Sequence, residues 1–266
     1  MSSGAHELQE TLIIVPTLGK RANYLVECLD SLTNQTSLPH VVVAFPLKAK
    51  QNMTFFLEKY PTVDFIVVEG SQVEVINTVA GMYSHYRFMN WLGDDDRLPL
   101  DSIELSESVL KRNSGIRGTF GTVRYINTEG SVIGSYNPPK SAQRLICIIP
   151  AAIKLEAGLF YTSDFIKMKG IKLDLKYAPC VYTTIQLRKL GKWQKIDADL
   201  CEFRIHPDSE TAANMLTGLR EATKTQMKDA NLLEKFLNLL LRYPFKLFKI
   251  TIFNAIALRA KVRKLI

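Results

Sequence analysis

Tyr86-Arg87-Phe88-Met89-Asn90-Trp91-Leu92-Gly93-Asp94-Asp95-Asp96 runs from an apolar, aromatic-rich segment straight into a glycine and three consecutive aspartates. Residues 86–92 have the length and side chains of a buried strand, and Gly93 is the turn signal that ends it. Three more runs of this kind lie upstream: 11–16 (Thr-Leu-Ile-Ile-Val-Pro), 39–45, closed by Pro46, and 63–68. Helical patterns separate them. Leu25, Cys28, Leu29 and Leu32 fall on one face of a helix over 23–32, with Asn23 as its expected N-cap, and further helices are expected at 51–60 and 73–84. Strands alternating with helices over roughly 100 residues predict an α/β fold with a parallel sheet covered by helices.

Downstream of the aspartates the pattern is less regular. Strands are expected at 118–125 and 132–136 around a turn at Thr128-Glu129-Gly130, and a loop from Pro138-Pro139. Helices follow at 162–170 and 181–190, then an edge strand at 195–204 and a polar helix over 210–233. The chain of 266 residues, 47% hydrophobic, is long enough for one large domain with an appendage. No uninterrupted apolar run approaches the roughly 18 residues of a spanning helix. The first residues do not form a secretory signal. Cys28, Cys147, Cys180 and Cys201 are far apart with no CxxC pair, which argues against a metal knuckle or disulfide framework and for a reducing cytoplasm.

In an open parallel sheet, ligands bind beyond the carboxyl ends of the strands, and the three aspartates fall at such an end. Adjacent carboxylates repel one another, so a cation or strong donors must neutralise them. Mg²⁺ and Mn²⁺ favour carboxylate oxygens shared with phosphates, and a diphosphate leaving group explains such a site. The competing reading is a solvated acidic turn, with Asp94 or Asp96 capping a helix that starts near Asp101.

Several stretches, taken in order, resemble the family-two glycosyltransferases of GT-A fold that build bacterial surface polysaccharides. They are Ile13-Ile14-Val15-Pro16-Thr17 with Leu25, Cys28-Leu29-Asp30-Ser31-Leu32 and Gln35-Thr36; Val75-Ile76-Asn77 with Gly81; and the segment Phe88 to Asp96 with Pro99. Gly158-Leu159-Phe160-Tyr161 with Gly170, and Phe203-Arg204-Ile205-His206-Pro207-Asp208-Ser209-Glu210-Thr211, complete the series. The resemblance implies a Rossmann-like, mostly parallel mixed sheet with helices on both faces over 11–215; the residues outside it read as an extension (1–10) and a helical, basic amphipathic segment (216–266). It implies an inverting transfer of sugar from a UDP-, dTDP- or GDP-linked donor to a glycan or lipid-linked acceptor. Pro16, Thr17 and Asn77 would lie against the donor, and Asp94 and Asp96 would hold Mn²⁺ or Mg²⁺ and the diphosphate, with Asp95 beside them. Arg204 and His206 would lie near the diphosphate or close the site. By its residues alone, His206 before proline reads as turn geometry.

Two departures from that pattern matter. Val43-Ala44-Phe45-Pro46 lacks the aspartate that commonly meets the base, and Tyr177-Ala178-Pro179-Cys180-Val181-Tyr182 lacks the acidic residue that commonly acts as general base. A neutral thiol is a poor base, so the carboxylate is expected from Asp95, Glu156 or Asp174. If none serves, the chain is a catalytically silent subunit of a polysaccharide-assembly complex. Thr17-Leu18-Gly19-Lys20-Arg21 is a faint version of a nucleotidyltransferase phosphate loop, a third reading.

Residues 231–266 carry eight basic side chains against Glu234 alone, so nearly all of the net charge of +8 belongs to this tail. Large apolar residues interleave with them, and Pro244 is expected to divide the tail into two helices. Such a segment fits an anionic membrane surface, here the inner face of the cytoplasmic membrane. Packing on the domain or in a homo-oligomer is the alternative. The rest of the chain has too little basic surplus for a nucleic-acid groove.

Overall fold

Thr11–Pro16 (β1) has Leu12 and Ile14 in one apolar cluster and Ile13 and Val15 in another. A strand buried on both faces belongs in the middle of a helix-covered sheet. The structure, a computed structural model, describes residues 9–149, 151–206 and 214–241, with Pro244, Leu247 and Thr251. β1 pairs in parallel with His40–Phe45 (β2) and with Phe88–Trp91 (β4), and β2 pairs in parallel with Asp64–Val67 (β3). Phe160–Tyr161 (β7) then runs antiparallel to β4 and to Ile116–Ile126 (β5), which forms an antiparallel hairpin with Val132–Tyr136 (β6). The order is β3-β2-β1-β4-β7-β5-β6, and Lys192–Arg204 (β8) lies parallel along β5. The expected mixed sheet is therefore present, with β8 lying along β5 and bridged at Glu202 to Arg97.

Ala22–Thr33 (α1), Lys50–Lys59 (α2) and Ser102–Arg112 (α4) cover one face through residues such as Leu29, Phe56 and Leu110. Gln72–Met82 (α3), Thr162–Lys167 (α6) and Pro179–Arg188 (α7) cover the other through Ile76, Phe165 and Ile185. α3 starts on a capping box: the Ser71 hydroxyl accepts from the Glu74 amide, and the Glu74 carboxylate accepts from the Ser71 amide. That reciprocal bond fixes the helix start and contributes about 0.5–2 kcal/mol. Ala142–Leu145 (α5) is a short helix in the stretch expected as loop.

Three local expectations are corrected. Asn23 lies inside α1; the N-cap position is Arg21, whose side chain does not cap the helix because it reaches across to the aspartates. Asp101, not Asp94 or Asp96, precedes α4. The polar helix expected over 210–233 is two helices, Met215–Asp229 (α8) and 232–241 (α9), parted where Ala230 turns extended. Asn231 and Glu234 exchange backbone and side-chain hydrogen bonds to start the second. Pro207 to Thr211 of the expected closing segment, and the chain on either side of Pro244, lie outside the described residues; Pro244 itself is helical. No described helix is long and apolar enough to cross a membrane, and all four cysteines are free.

Candidate active site

β4 delivers the aspartates to the carboxyl end of the sheet. The Leu92 amide still bonds to the Ile14 carbonyl of β1, and the chain then turns through Gly93. β1 has β2 on one side and β4 on the other, so this is the point where strand order reverses and a crevice opens. Pro16 and Thr17 end β1 beside it. The Thr17 hydroxyl donates to Asp94 Oδ2 at 2.5 Å and accepts from the Gly19 amide at 3.0 Å. Gly19 has φ +67° and a Cβ there would lie 3.0 Å from Ala49 and from Met53, so the turn after β1 requires glycine.

Arg21 is the cation of the cluster. Its Nη2 donates to Asp94 Oδ1 at 2.5 Å and its Nη1 to Asp95 Oδ2 at 2.9 Å. His206 is buried, its ring 5.2 Å from that of Tyr24. Its Nε2 is 2.8 Å from Asp95 Oδ2 and 2.9 Å from Arg21 Nη1. One nitrogen cannot serve both; donation to the Asp95 carboxylate, which also accepts from Arg21, is the consistent arrangement. Burial pushes the Asp95 carboxyl up, but the His206 bond and the Arg21 charge outweigh it and hold it below its ordinary value. Burial raises Asp94 despite Arg21, and raises Asp96 well above the usual carboxylate range, where the Asp95 charge adds to the effect.

The structure brings Pro16, Thr17, Asp94, Asp95, Asp96, Arg204 and His206 to one place, and it ties Arg204 to the aspartate loop. Its side chain is fully buried. Its Nε donates to the Asp95 carbonyl at 2.9 Å, Nη1 to the Asn127 and Thr128 carbonyls at 3.0 and 3.1 Å, and Nη2 to Glu27 at 2.5 Å. Its amide donates to Asp96 Oδ1 at 2.9 Å. Four of its five guanidinium N–H groups are so committed, and the buried side chain clamps the aspartate loop to β8. Arg21 is 30% exposed and borders a cleft of about 460 Å³ that Lys20, Asn23, Tyr24, Glu27 and Thr128 also line, a volume suited to a small ligand. The sequence marked Arg21 only as part of a faint phosphate loop, Thr17 to Arg21, and gave no sign of its pairing with the aspartates.

Two further expected site residues are elsewhere. Asn77 spends its amide on Ile171, accepting from its N–H and donating to its carbonyl at 2.8 Å each, which pins the loop after α6. Asp174 is exposed on that loop. Glu156 is different. The Cys180 thiol, at the start of α7, donates to Glu156 Oε1 at 3.4 Å, while Oε2 is buried without a partner among the described residues. The Glu156 charge acts on Asp96 and, with burial, drives the Cys180 thiol well above its ordinary range. Cys180 is thus a thiol, a donor to the neighbouring carboxylate and not a base.

The hard carboxylate oxygens of Asp94 and Asp96 suit Mg²⁺ or Mn²⁺. Among the described residues no group of three acidic, histidine or cysteine side chains is arranged to hold an ion. Such an ion commonly needs only one or two carboxylates, with phosphates and water completing its shell. The pair fits on one condition, that Arg21 release Asp94 Oδ1.

No family profile matches the chain. It is 22% identical over 221 residues to the chondroitin synthase of Pasteurella multocida (strain Pm70), covering 81% of this chain and 22% of that synthase. The chain therefore spans less than a quarter of that relative's length. Among solved structures, Staphylococcus aureus TarS 1-349 in complex with UDP-GlcNAc superposes with a TM-score of 0.62 at 16% identity, covering 86% of this chain and 69% of that one. The chain has a glycosyltransferase fold. The mannosyltransferase PcManGT from Pyrobaculum calidifontis, in complex with GDP-Man and Mn²⁺, shares it with a TM-score of 0.55 at 12% identity, covering 95% of this chain and 86% of that one. A divalent-cation-bound protein of this fold thus exists.

Proposed function

We propose that this chain transfers a sugar, with inversion, from a UDP-, dTDP- or GDP-linked donor to a hydroxyl of a glycan or lipid-linked acceptor in cell-surface polysaccharide assembly. The observation that carries the reading is Glu156. Its carboxylate stands at the start of α7 with Cys180 on one oxygen and a buried, unpartnered second oxygen, in electrostatic reach of Asp96. An orphaned buried acceptor costs about 1–3 kcal/mol, a cost relieved when a substrate hydroxyl donates to it. The acceptor hydroxyl gives its proton to Glu156 as its oxygen bonds to the anomeric carbon, and the bond from that carbon to the diphosphate oxygen breaks.

Pro16 and Thr17 border the nucleotide. Arg21 turns from Asp94 to the diphosphate; Asp94 and Asp96 would hold Mn²⁺ or Mg²⁺, whose charge would stabilise the departing diphosphate. Asp95 and His206 keep their mutual bond and orient the loop. The catalytic domain is residues 11–215, with 216–266 as an appendage. The likeness in fold to a UDP-GlcNAc complex and a GDP-Man complex supports a nucleotide-sugar donor, and the identity to a chondroitin synthase supports polysaccharide assembly.

The test is Glu156→Gln, assayed for transfer across a panel of donors and acceptors, with donor binding followed by metal-dependent thermal stabilisation. Transfer falls about 10²–10⁴-fold and donor binding persists. Unchanged transfer removes Glu156 from the reaction. No transfer by the unmodified protein across the panel favours the silent-subunit reading.

A further inference from the structure

Helix α9 (232–241) is held to the domain along one edge. Asn238 is buried, and its Nδ2 donates to the Cys147 and Ile148 carbonyls at 3.0 and 3.2 Å. Glu234 accepts from Arg188, the last residue of α7, at 2.9 Å. Leu232, Leu233, Phe236, Leu239 and Leu240 face away from this seat. Leu232 is 86% exposed and Phe236 61%, and Leu247 further on is exposed too. Positions 232, 233, 236, 239 and 240 form one helical stripe about 12 Å long. A contiguous apolar stripe on a surface helix marks an interaction site.

Charge identifies the partner. Glu234, the one acidic residue from 231 to 266, is turned inward to Arg188, so nothing acidic in the segment opposes Lys235, Arg242, Lys246, Lys249 and the four basic residues beyond. A second copy docking by the same face would bring one basic segment against another, a repulsive arrangement for a two-fold contact. A surface of anionic lipid headgroups answers both the apolar stripe and the charge. We propose that α9 docks the protein on an anionic membrane, its stripe in the headgroup region and its Asn238 edge against the domain. α7 runs from Cys180, beside Glu156, to Arg188 under α9, about 12 Å along a helix axis. A docked α9 therefore holds the base close to the bilayer, where a lipid-linked acceptor is presented; this last point rests on the proposed transfer, and the docking does not.

Co-sedimentation of the full chain with phosphatidylglycerol-containing phosphatidylcholine vesicles, and with phosphatidylcholine alone, tests it. Binding to the anionic vesicles at low salt, weakened at high salt, is expected. Leu232→Ser/Phe236→Ser/Leu240→Ser loses at least about tenfold in partition with its melting temperature unchanged, and Phe236→Ser alone gives a smaller loss in the same direction. No sedimentation of the unmodified protein, equal binding to neutral vesicles, or full binding by the triple variant overturns the proposal. So does a dimer in light scattering that the triple variant abolishes, which makes a second copy the occupant. The readout is independent of transfer, so loss of the Glu156 reading leaves it standing.

Discussion

Replacing Arg204 by methionine keeps an unbranched side chain and removes the guanidinium. Four donated hydrogen bonds disappear, to Glu27 and to the carbonyls of Asp95, Asn127 and Thr128. Glu27 retains Arg97 at 3.0 Å and is partly exposed, so it loses least. The carbonyls lose a partner that was wholly buried, and each orphaned acceptor costs about 1–3 kcal/mol where water does not enter. With three carbonyls so affected, a loss of at least about 3 kcal/mol is expected. At about 2–4 °C per kcal/mol for a chain of this size, the melting temperature falls by at least roughly 6 °C. Urea unfolding of donor-free protein measures it as a lower midpoint at unchanged slope. Arg204→Lys recovers little, because an ammonium cannot reproduce the fork. Nucleotide-sugar titration is the complement: Arg21→Gln weakens the donor more than Arg204→Met does at a temperature where both are folded. Stability within about 1 kcal/mol of the parent, with donor affinity lost, would refute the clamp and return Arg204 to the diphosphate.

Cys180→Ala retains most of the transfer activity, because the thiol donates to Glu156 and takes no proton; transfer lost with donor binding intact would make the thiol the base. Asp96→Asn should raise the melting temperature of donor-free, chelator-treated protein at pH 7. The Asp96 carboxyl titrates higher in the folded protein than its ordinary 3.8, so the folded state binds more protons between those values and stability falls as pH rises through them. The gain in Asp96→Asn should therefore shrink toward pH 4 and be absent below it; a gain independent of pH contradicts this account.

β1, β2 and β4 were legible because each is an apolar run buried on both faces, the pattern of a helix-covered parallel sheet; β3, at the sheet edge, is only half-buried and was legible from its apolar run alone. The acidic cluster was legible because a strand runs directly into it. Arg204 and Arg21 were not separable in the same way. Each is one arginine in the sequence, and only the docking of β8 beside β5 puts the first inside and leaves the second at the cleft. The Asn77 bonds to Ile171 were not legible, because the two residues are 94 apart in sequence. Glu156 was legible as a carboxylate near the missing base, but its bond to Cys180 was not, since residues 24 apart meet only through the antiparallel return of β7.

The clamp also orders events during synthesis. Asp96 is tied to the Arg204 amide across 108 residues, and β8 must run along β5 before that bond exists. Contacts so distant in sequence carry a large loop-closure cost and form late. A ribosome-bound chain that stops short of Arg204 has its aspartates without their tether, so the arrangement of Asp94, Asp95 and Asp96 is set only once β8 has emerged and docked.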